Sequence, residues 1–162
     1  MAERISLRKV FDRLSEVEQL AADLYSHYAS VFADVGFARE LFLAMKDEEL
    51  NHKSQVEMQK RILARSPGGF DMVDVDMSGI DNLVQKVRAE ISATARSLSQ
   101  ALDFAIALEK GSMESAYRTV IARHHSDLSS LVAMLSAGDK QHISRLERLR
   151  DSLSREGTSL LH

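Results

Sequence analysis

"AMKDEELNHKSQ", residues 44–55, combines an apolar helix face with two ionisable side chains. Apolar residues recur in this region at steps of mostly three and four, the spacing of one face of an α-helix, and Glu49 and His52 lie on that face. The positions of this face are Leu41, Met45, Glu49, His52, Val56 and Leu63. Because a buried carboxylate without a partner is costly, the stretch predicts compensating groups on other segments of the chain.

The composition is typical of a globular protein and excludes several kinds of site. The chain has 162 residues, of which 44% are hydrophobic and 28% are charged, and its formal net charge is −3. It has no cysteine, which excludes disulfides and thiolate-bound metals. No basic cluster points to nucleic acid or to a lipid membrane surface. The sequence shows no signal peptide and no apolar run of about 18 residues, so we expect a cytoplasmic protein.

The helical periodicity predicts an all-α fold in a single domain spanning residues 1–162. We expect four helices, at about residues 6–33, 37–65, 80–123 and 127–155. Strand signals are absent. The segment at about residues 66–79 is longer than a hairpin needs, so it predicts one long crossover between helices two and three of a four-helix bundle. A loosely ordered loop in an up-and-down bundle is the alternative.

Acidic and histidine side chains occupy inward positions on all four predicted helices. The first and third helices each carry one glutamate there, and the second and fourth each carry an acidic-x-x-His pair. The set comprises Glu18, Glu49, His52, Glu109, Asp139 and His142. A shift of 90 or 91 residues superimposes the first three on the last three. Each pair spans about one helical turn, so both of its side chains can face one ion.

This set of side chains suits a pair of metal ions. Four carboxylates and two neutral imidazoles carry a charge that two divalent cations would balance. Carboxylates with a few imidazoles favour iron or manganese, and the lack of thiols disfavours softer ions. One Glu from each of two helices and one Glu-x-x-His from each of two others is the ligand set of di-metal helical bundles. The sequence therefore predicts a di-metal carboxylate site.

Four stretches of the chain resemble the rubrerythrin branch of the ferritin-like superfamily, in its short form that lacks a rubredoxin domain. They are "VFDRLSEVEQLAADLYSHYA", "AMKDEELNHKSQ", "ALDFAIALEKGSMESAY" and "LSAGDKQHISRLERL". The resemblance implies a ferritin-like four-helix bundle in which the six residues above bind two iron ions, with manganese or zinc as substitutes. It further implies a homodimer that reduces hydrogen peroxide or dioxygen under oxidative stress. Without cysteine, the electrons would come from a separate rubredoxin-like or flavoprotein donor.

Two positions depart from the pattern of the resembling family. Asp139 stands where the family usually has glutamate. Ser112 stands where rubrerythrins proper carry an extra glutamate that exchanges with a histidine as the iron changes oxidation state. Both departures bear on peroxide reduction more than on the metal site itself.

Other interpretations of the same residues stay open. Gly138 and Asp139 can instead break and re-cap the fourth helix. Glu48 is expected to be solvated, and Tyr25 and Tyr28 are expected to be core aromatics. The alternative functions are iron oxidation and storage in a ferritin-like shell, and a catalytically degenerate bundle that acts as a binding or structural dimer.

Overall fold

The computed structural model describes residues 2–94, 96–111, 118, 121–123 and 128–159, with side chains up to Glu156. Within these residues, five helices and one two-stranded sheet have defined ends. The fold is mostly helical, as the sequence predicts. Ser112, one of the two departures from the family pattern, lies outside the described residues. No helix in the described part of the chain has both the length and the apolar character needed to cross a lipid bilayer.

The first two helices form an antiparallel hairpin. Helix α1 spans Leu7–Val31 and helix α2 spans Gly36–Leu63, close to the predicted bounds of both. Lys60, near the end of α2, pairs with Asp12, near the start of α1. Buried side chains recur along both helices at helical spacing, so the two apolar faces meet over most of their length.

A short sheet joins the start of the chain to the segment after α2. Strand β1 spans Glu3–Ser6 and strand β2 spans Met72–Val75, and the two pair antiparallel. The prediction that the chain has no strands is wrong here. Burial alternates along β2, where Val73 and Val75 are buried, and β1 buries Ile5. Each strand has 4 residues, which is too short for this alternation to be distinctive in the sequence.

The predicted third helix is interrupted. Helix α3 spans Ser78–Ser92 and helix α4 spans Leu98–Glu109, so the prediction of one helix over residues 80–123 is wrong. The Gln100 backbone N–H donates to the Ser97 hydroxyl, and the Ser97 backbone N–H donates to the Gln100 side chain. This reciprocal capping box starts α4 as a new helix.

Helix α3 carries the chain back along α1. Asp81, near the start of α3, pairs with Arg13, near the start of α1. Glu90, near the end of α3, accepts a hydrogen bond of 2.8 Å from the hydroxyl of Tyr28, near the end of α1. The two helices therefore run in the same direction. The segment at residues 66–79 does not make the predicted crossing by itself, because it contains β2 and the crossing is made by α3.

The last helix, α5, spans Ser129–Ser159, close to its predicted bounds, and packs antiparallel to α4. Lys110, directly after α4, pairs with Glu147, whereas Asp103 within α4 pairs with Arg150 further along α5. Because α3 has already returned the chain, α4 runs in the same direction as α2.

Two apolar clusters fill the interior, one on each side of a polar layer. The first includes Ile5, Phe11, Leu14, Val56, Ile80, Leu131 and Leu135. The second includes Tyr25, Phe42, Met45, Leu102, Ala105 and Leu146. Along their helices, the buried residues Glu18, Glu49 and His142 lie between members of the two clusters. Water is thus kept away from the polar layer from both directions.

Candidate metal centre

Five of the six predicted ligands meet in the polar layer. Glu18, Glu49 and His52 each place one donor atom within 4.8 Å of the others, and we call them the Glu18 triad. Glu49, Glu109 and His142 do the same and form the Glu109 triad. The two triads share Glu49, so donors from α1, α2, α4 and α5 converge on one region.

Glu49 lies between the two histidine rings. Its Oε1 atom lies 2.9 Å from His142 Nδ1, and its Oε2 atom lies 3.2 Å from His52 Nδ1. The centroids of the two rings are 5.7 Å apart, and all three side chains are buried. A carboxylate with one imidazole beside each oxygen is placed to bridge two ions.

The two other glutamates each point one oxygen inward and have the second oxygen held by a neighbour. Glu18 Oε2 lies 3.8 Å from His52 Nδ1, and its Oε1 accepts a hydrogen bond of 2.9 Å from Arg118. Glu109 Oε2 lies 3.4 Å from His142 Nδ1, and its Oε1 accepts a hydrogen bond from a tyrosine hydroxyl. Because one oxygen is held, the direction of the inward oxygen is fixed.

Asp139 is the one predicted ligand that joins neither triad. Its Oδ2 atom accepts a hydrogen bond of 2.5 Å from Arg118. Burial raises the pKa of the Asp139 carboxyl, although the charge of Arg118 opposes this effect. In this structure Asp139 therefore pairs with a cation of the chain itself. The alternative that Gly138 and Asp139 break the helix is wrong, because α5 continues through both residues.

Arg118 is a buried cation that the sequence pattern does not reveal. Its side chain is 1% exposed, and its guanidinium joins Glu18 to Asp139. On one continuous helix, Arg118 would follow Glu109 by about two and a half turns and would face the opposite direction. Helix α4 ends at Glu109, however, so the helical spacing does not extend to Arg118. No periodicity in the sequence could have placed this residue in the centre.

Gly138 makes room for the His52 ring. A Cβ atom at position 138 would lie 2.6 Å from both Cε1 and Nε2 of His52. Carbon atoms do not approach this closely without a shift, so any side chain here would push the imidazole away. Gly138 therefore allows α5 to pass close to His52 at the level of the centre.

Glu48 holds His142 from the outer side. Glu48 Oε2 lies 2.8 Å from His142 Nε2, and Arg145 donates hydrogen bonds to both Glu48 oxygens. Burial raises the pKa of Glu48, but Arg145 and His142 outweigh it and lower the pKa below its ordinary value. The Glu48 side chain is 41% exposed, so it is partly solvated as expected, but it also holds His142. With Nε2–H directed at Glu48, Nδ1 of His142 points toward the centre, where loss of its proton would leave a lone pair for an ion, as in many metal-binding histidines.

Two core tyrosines also use their hydroxyl groups. The Tyr25 hydroxyl donates to Glu109, and the Tyr28 hydroxyl donates to Glu90. Tyr25 is fully buried, which raises the pKa of its hydroxyl well above the ordinary value, and the charges of Glu109 and Glu49 raise it further. Tyr25 therefore keeps its proton and remains a donor. Both tyrosines are core aromatics, as expected, and Tyr25 also contacts a triad.

The centre attracts protons as well as cations. Burial raises the pKa of the Glu49 carboxyl to about 7; Glu109 adds to this effect and His142 opposes it. Burial lowers the pKa of the His142 imidazole, but the carboxylates of Glu109 and Glu49 outweigh it and raise the pKa to about 11. A metal ion needs these ligands deprotonated, so metal binding would release protons.

The donor atoms fit an ion such as iron or manganese. His142 Nδ1 is buried, and no described residue places an acceptor in line with it for a hydrogen bond, although Glu49 Oε1 is 2.9 Å away. Nδ1 of His142 thus faces the point toward which Glu49 and Glu109 each direct an oxygen, as a ligand of the same ion would. Carboxylate oxygens and imidazole nitrogens are ligands that both metals accept.

Comparison of the chain with protein-family models, with curated proteins and with solved structures gives no match. The likeness to rubrerythrins therefore stays a prediction from the sequence.

Proposed function

We propose that this chain is a ferritin-like four-helix bundle protein that binds two iron or manganese ions and uses them to reduce hydrogen peroxide or dioxygen. The observation that carries the proposal is the position of Glu49, with one oxygen beside each imidazole and one triad on either side. Helices α1, α2, α4 and α5 would form the bundle, and the segment from β2 through α3 would be its long crossover.

The burial of the carboxylates supports a cation site. The side chains of Glu18, Glu49 and Glu109 are 2%, 4% and 6% exposed. Like charges this close and this far from water disfavour ionisation, so the ionised forms need compensating cations. Burial and the charge of Glu109 raise the pKa of Glu49, and the carboxylates of Glu109 and Glu49 raise the pKa of His142 against the effect of burial. Divalent ions would satisfy the triads better than protons do, because one ion serves several oxygens.

The surrounding residues would orient the ligands and control the environment. Glu48, held by Arg145, fixes the His142 ring, and Tyr25 fixes the Glu109 carboxylate. When bound, two ferrous ions would supply one electron each, which matches the two electrons that convert hydrogen peroxide and two protons into two water molecules. A separate donor would return the electrons, because the chain has no cysteine for a rubredoxin centre.

One observation favours a second candidate, a bundle that has lost catalysis and serves as a binding or structural protein. Arg118 pairs with Glu18 and Asp139 and so supplies part of the positive charge from within the chain. Internal compensation of this kind would let the bundle fold without a metal ion. Metal binding separates the two candidates.

Metal content tests the binding part of the proposal. The protein is stripped with a chelator, dialysed without oxygen against excess ferrous iron and submitted to elemental analysis. We expect about two ions per chain in the wild type. Glu49→Gln removes the charge of the shared carboxylate and should lose most of the iron. Glu40→Gln neutralises an exposed glutamate on the same helix and should bind as the wild type does. An iron-free wild type would favour the second candidate.

Stopped-flow mixing with hydrogen peroxide tests the chemistry. The iron-loaded wild type should consume about one peroxide for every two ferrous ions oxidised. Glu40→Gln should behave in the same way. If iron binds but is oxidised by neither peroxide nor dioxygen, the result would support the proposed metal site and contradict the proposed redox function.

A further inference from the structure

Arg118 brings a permanent positive charge into the buried centre. Its side chain is 1% exposed, and among the described residues its guanidinium pairs with Glu18 at 2.9 Å and with Asp139 at 2.5 Å. An arginine side chain stays protonated in proteins. This charge can therefore be balanced by carboxylates or moved, but it cannot be released as a proton can.

The two triads differ in how their outer oxygens are held. In the Glu18 triad, the outer oxygen of Glu18 is held by the charged guanidinium of Arg118. In the Glu109 triad, the corresponding oxygen of Glu109 accepts a hydrogen bond from the neutral Tyr25 hydroxyl. The Arg118 contact offsets negative charge, and the Tyr25 contact does not. Apart from protons that an ion can displace, the Glu109 triad therefore keeps more of its negative charge for an ion.

Asp139 adds to this difference. It stands in the second half of the chain where Glu49 stands in the first, yet its carboxylate is engaged by the same guanidinium that holds Glu18. Two carboxylates that could serve an ion beside His52 are thus both occupied by Arg118.

We infer that Arg118 is an internal cation that competes with the second metal ion, so that the centre fills in a fixed order. The Glu109 triad binds its ion first, and the Glu18 triad binds one only when the Arg118 guanidinium moves away from Glu18 and Asp139. The inference rests on the proposed metal site and adds to it an order of filling and the residue that sets this order.

The competition has an electrostatic cause. A divalent ion in the Glu18 triad would share the Glu18 carboxylate with Arg118, and like charges at such short range repel strongly in a buried site. When the guanidinium moves, it releases Glu18 and Asp139 together. Binding of the second ion is therefore opposed at first by repulsion from Arg118. Once the guanidinium has moved, the ion can use the carboxylates of both Glu18 and Asp139.

Titration with Mn²⁺ followed by electron paramagnetic resonance tests the inference, because an isolated ion and a coupled pair give different spectra. In the wild type we expect the first ion to give the spectrum of an isolated Mn²⁺. The second should bind only at a free Mn²⁺ concentration at least about tenfold higher. Arg118→Met removes the charge but keeps a long side chain, and it should tighten binding of the second ion at least about tenfold.

Two further variants serve as controls. Arg118→Lys keeps the positive charge and should keep the order of filling. Arg88→Met removes an arginine on α3 whose side chain is 62% exposed, and it should leave both affinities unchanged. The wild-type titration is decisive even if Arg118→Met does not fold, because two equal affinities in the wild type would overturn the inference.

The outcomes distinguish the inference from the proposed function. Two ions bound with equal affinity in the wild type, or a second affinity that Arg118→Met does not change, would overturn the order of filling and leave the metal site intact. A wild type that binds no Mn²⁺ at all would contradict both the proposed metal site and the order of filling.

Discussion

The two halves of the chain carry nearly the same spacing of acidic and histidine residues, yet they build different surroundings. In the first half, α1 and α2 are long and unbroken, and all three predicted ligands meet in the Glu18 triad. In the second half, α4 ends at Glu109, and Asp139 pairs with Arg118 and joins neither triad. One buried arginine is enough to break the symmetry that the spacing predicts.

The difference shows what spacing determines in a buried site. Spacing decides which face of a helix a side chain occupies, and it directs the predicted ligands toward the interior. What each side chain then contacts depends on the charges that other segments bring within reach. For Asp139 that charge comes from Arg118, which follows no periodicity with the ligands.

Removal of Arg118 is expected to have the largest effect on stability. In metal-free protein, Arg118→Met leaves Glu18 and Asp139 without this cation, and we expect the free energy of unfolding to fall by about 3–5 kcal/mol. Urea denaturation in the presence of a chelator measures the change. Arg88→Met breaks an exposed pair with Glu16 and should cost about 1 kcal/mol or less. Similar losses in the two variants would argue against a buried ion network.

The next effect concerns pH. In metal-free protein the pKa of Glu49 is raised from 4.5 to about 7, and that of His142 is raised from 6.5 to about 11. Both shifts favour the protonated form in the folded state. Their contribution to stability is therefore full below the ordinary pKa of each group and is lost as the pH rises through the folded value. We expect metal-free protein to lose stability from about pH 5 to about pH 11, with Glu49 responsible for the lower part of this range and His142 for the upper part.

Urea midpoints measured with a chelator across this range test the pH prediction. His142→Gln removes the group with the larger shift and should flatten the upper part of the profile. The affinity for Mn²⁺ should change in the opposite direction and rise with pH, because metal binding displaces protons from the ligands. A metal-free wild type that becomes more stable over this range would contradict the assigned proton positions.

A smaller effect is expected at Gly138. Replacing a helical glycine with alanine usually stabilises a helix by up to about 1 kcal/mol. Gly138→Ala should instead destabilise the protein by about 1–3 kcal/mol, because the new Cβ would lie 2.6 Å from the His52 ring. Gly36→Ala, at the start of α2 with no atom within 4 Å of the added carbon, is the matched control. Thermal unfolding of the two variants gives the comparison, and a stabilised Gly138→Ala would show that α5 does not approach His52 this closely.

An effect of similar size is expected at Glu48 and concerns metal affinity. Glu48→Gln removes the charge that orients His142 through Nε2, and we expect Mn²⁺ to bind the Glu109 triad about 10–100-fold more weakly. Asp47→Asn neutralises a neighbouring carboxylate whose side chain is 74% exposed and should leave the affinity unchanged. Equal affinities in both variants would mean that Glu48 plays no part in positioning His142.

Much of the helical structure follows from periodicity, and the errors occur where local signals are short. The bounds of α1, α2 and α5 are close to prediction because their apolar stripes are long. The break before α4 was available in the sequence as a Ser-x-x-Gln capping box at residues 97–100, but the apolar stripe on either side obscured it. The two strands are too short to show a reliable alternation.

In the metal centre, the sequence predicts the members of the two triads but not the residues that orient them through hydrogen bonds. Glu49 and His52 stand out in the sequence because ionisable groups on an apolar helix face are costly to bury without partners. Glu48 and Arg145 lie at the edge of the core, where polar residues are ordinary, so their contact with His142 becomes visible only in three dimensions. The contact of Gly138 with His52 joins segments far apart in the chain, and no local pattern encodes it.

Anomalous X-ray diffraction from crystals of the wild type grown with Mn²⁺ tests directly whether the two triads bind metal ions. We expect an anomalous peak surrounded by Glu49, Glu109 and His142, with a second and weaker peak beside Glu18 and His52 at high Mn²⁺ concentration. A well-ordered structure with these side chains in place and no anomalous peak at either triad would contradict this expectation.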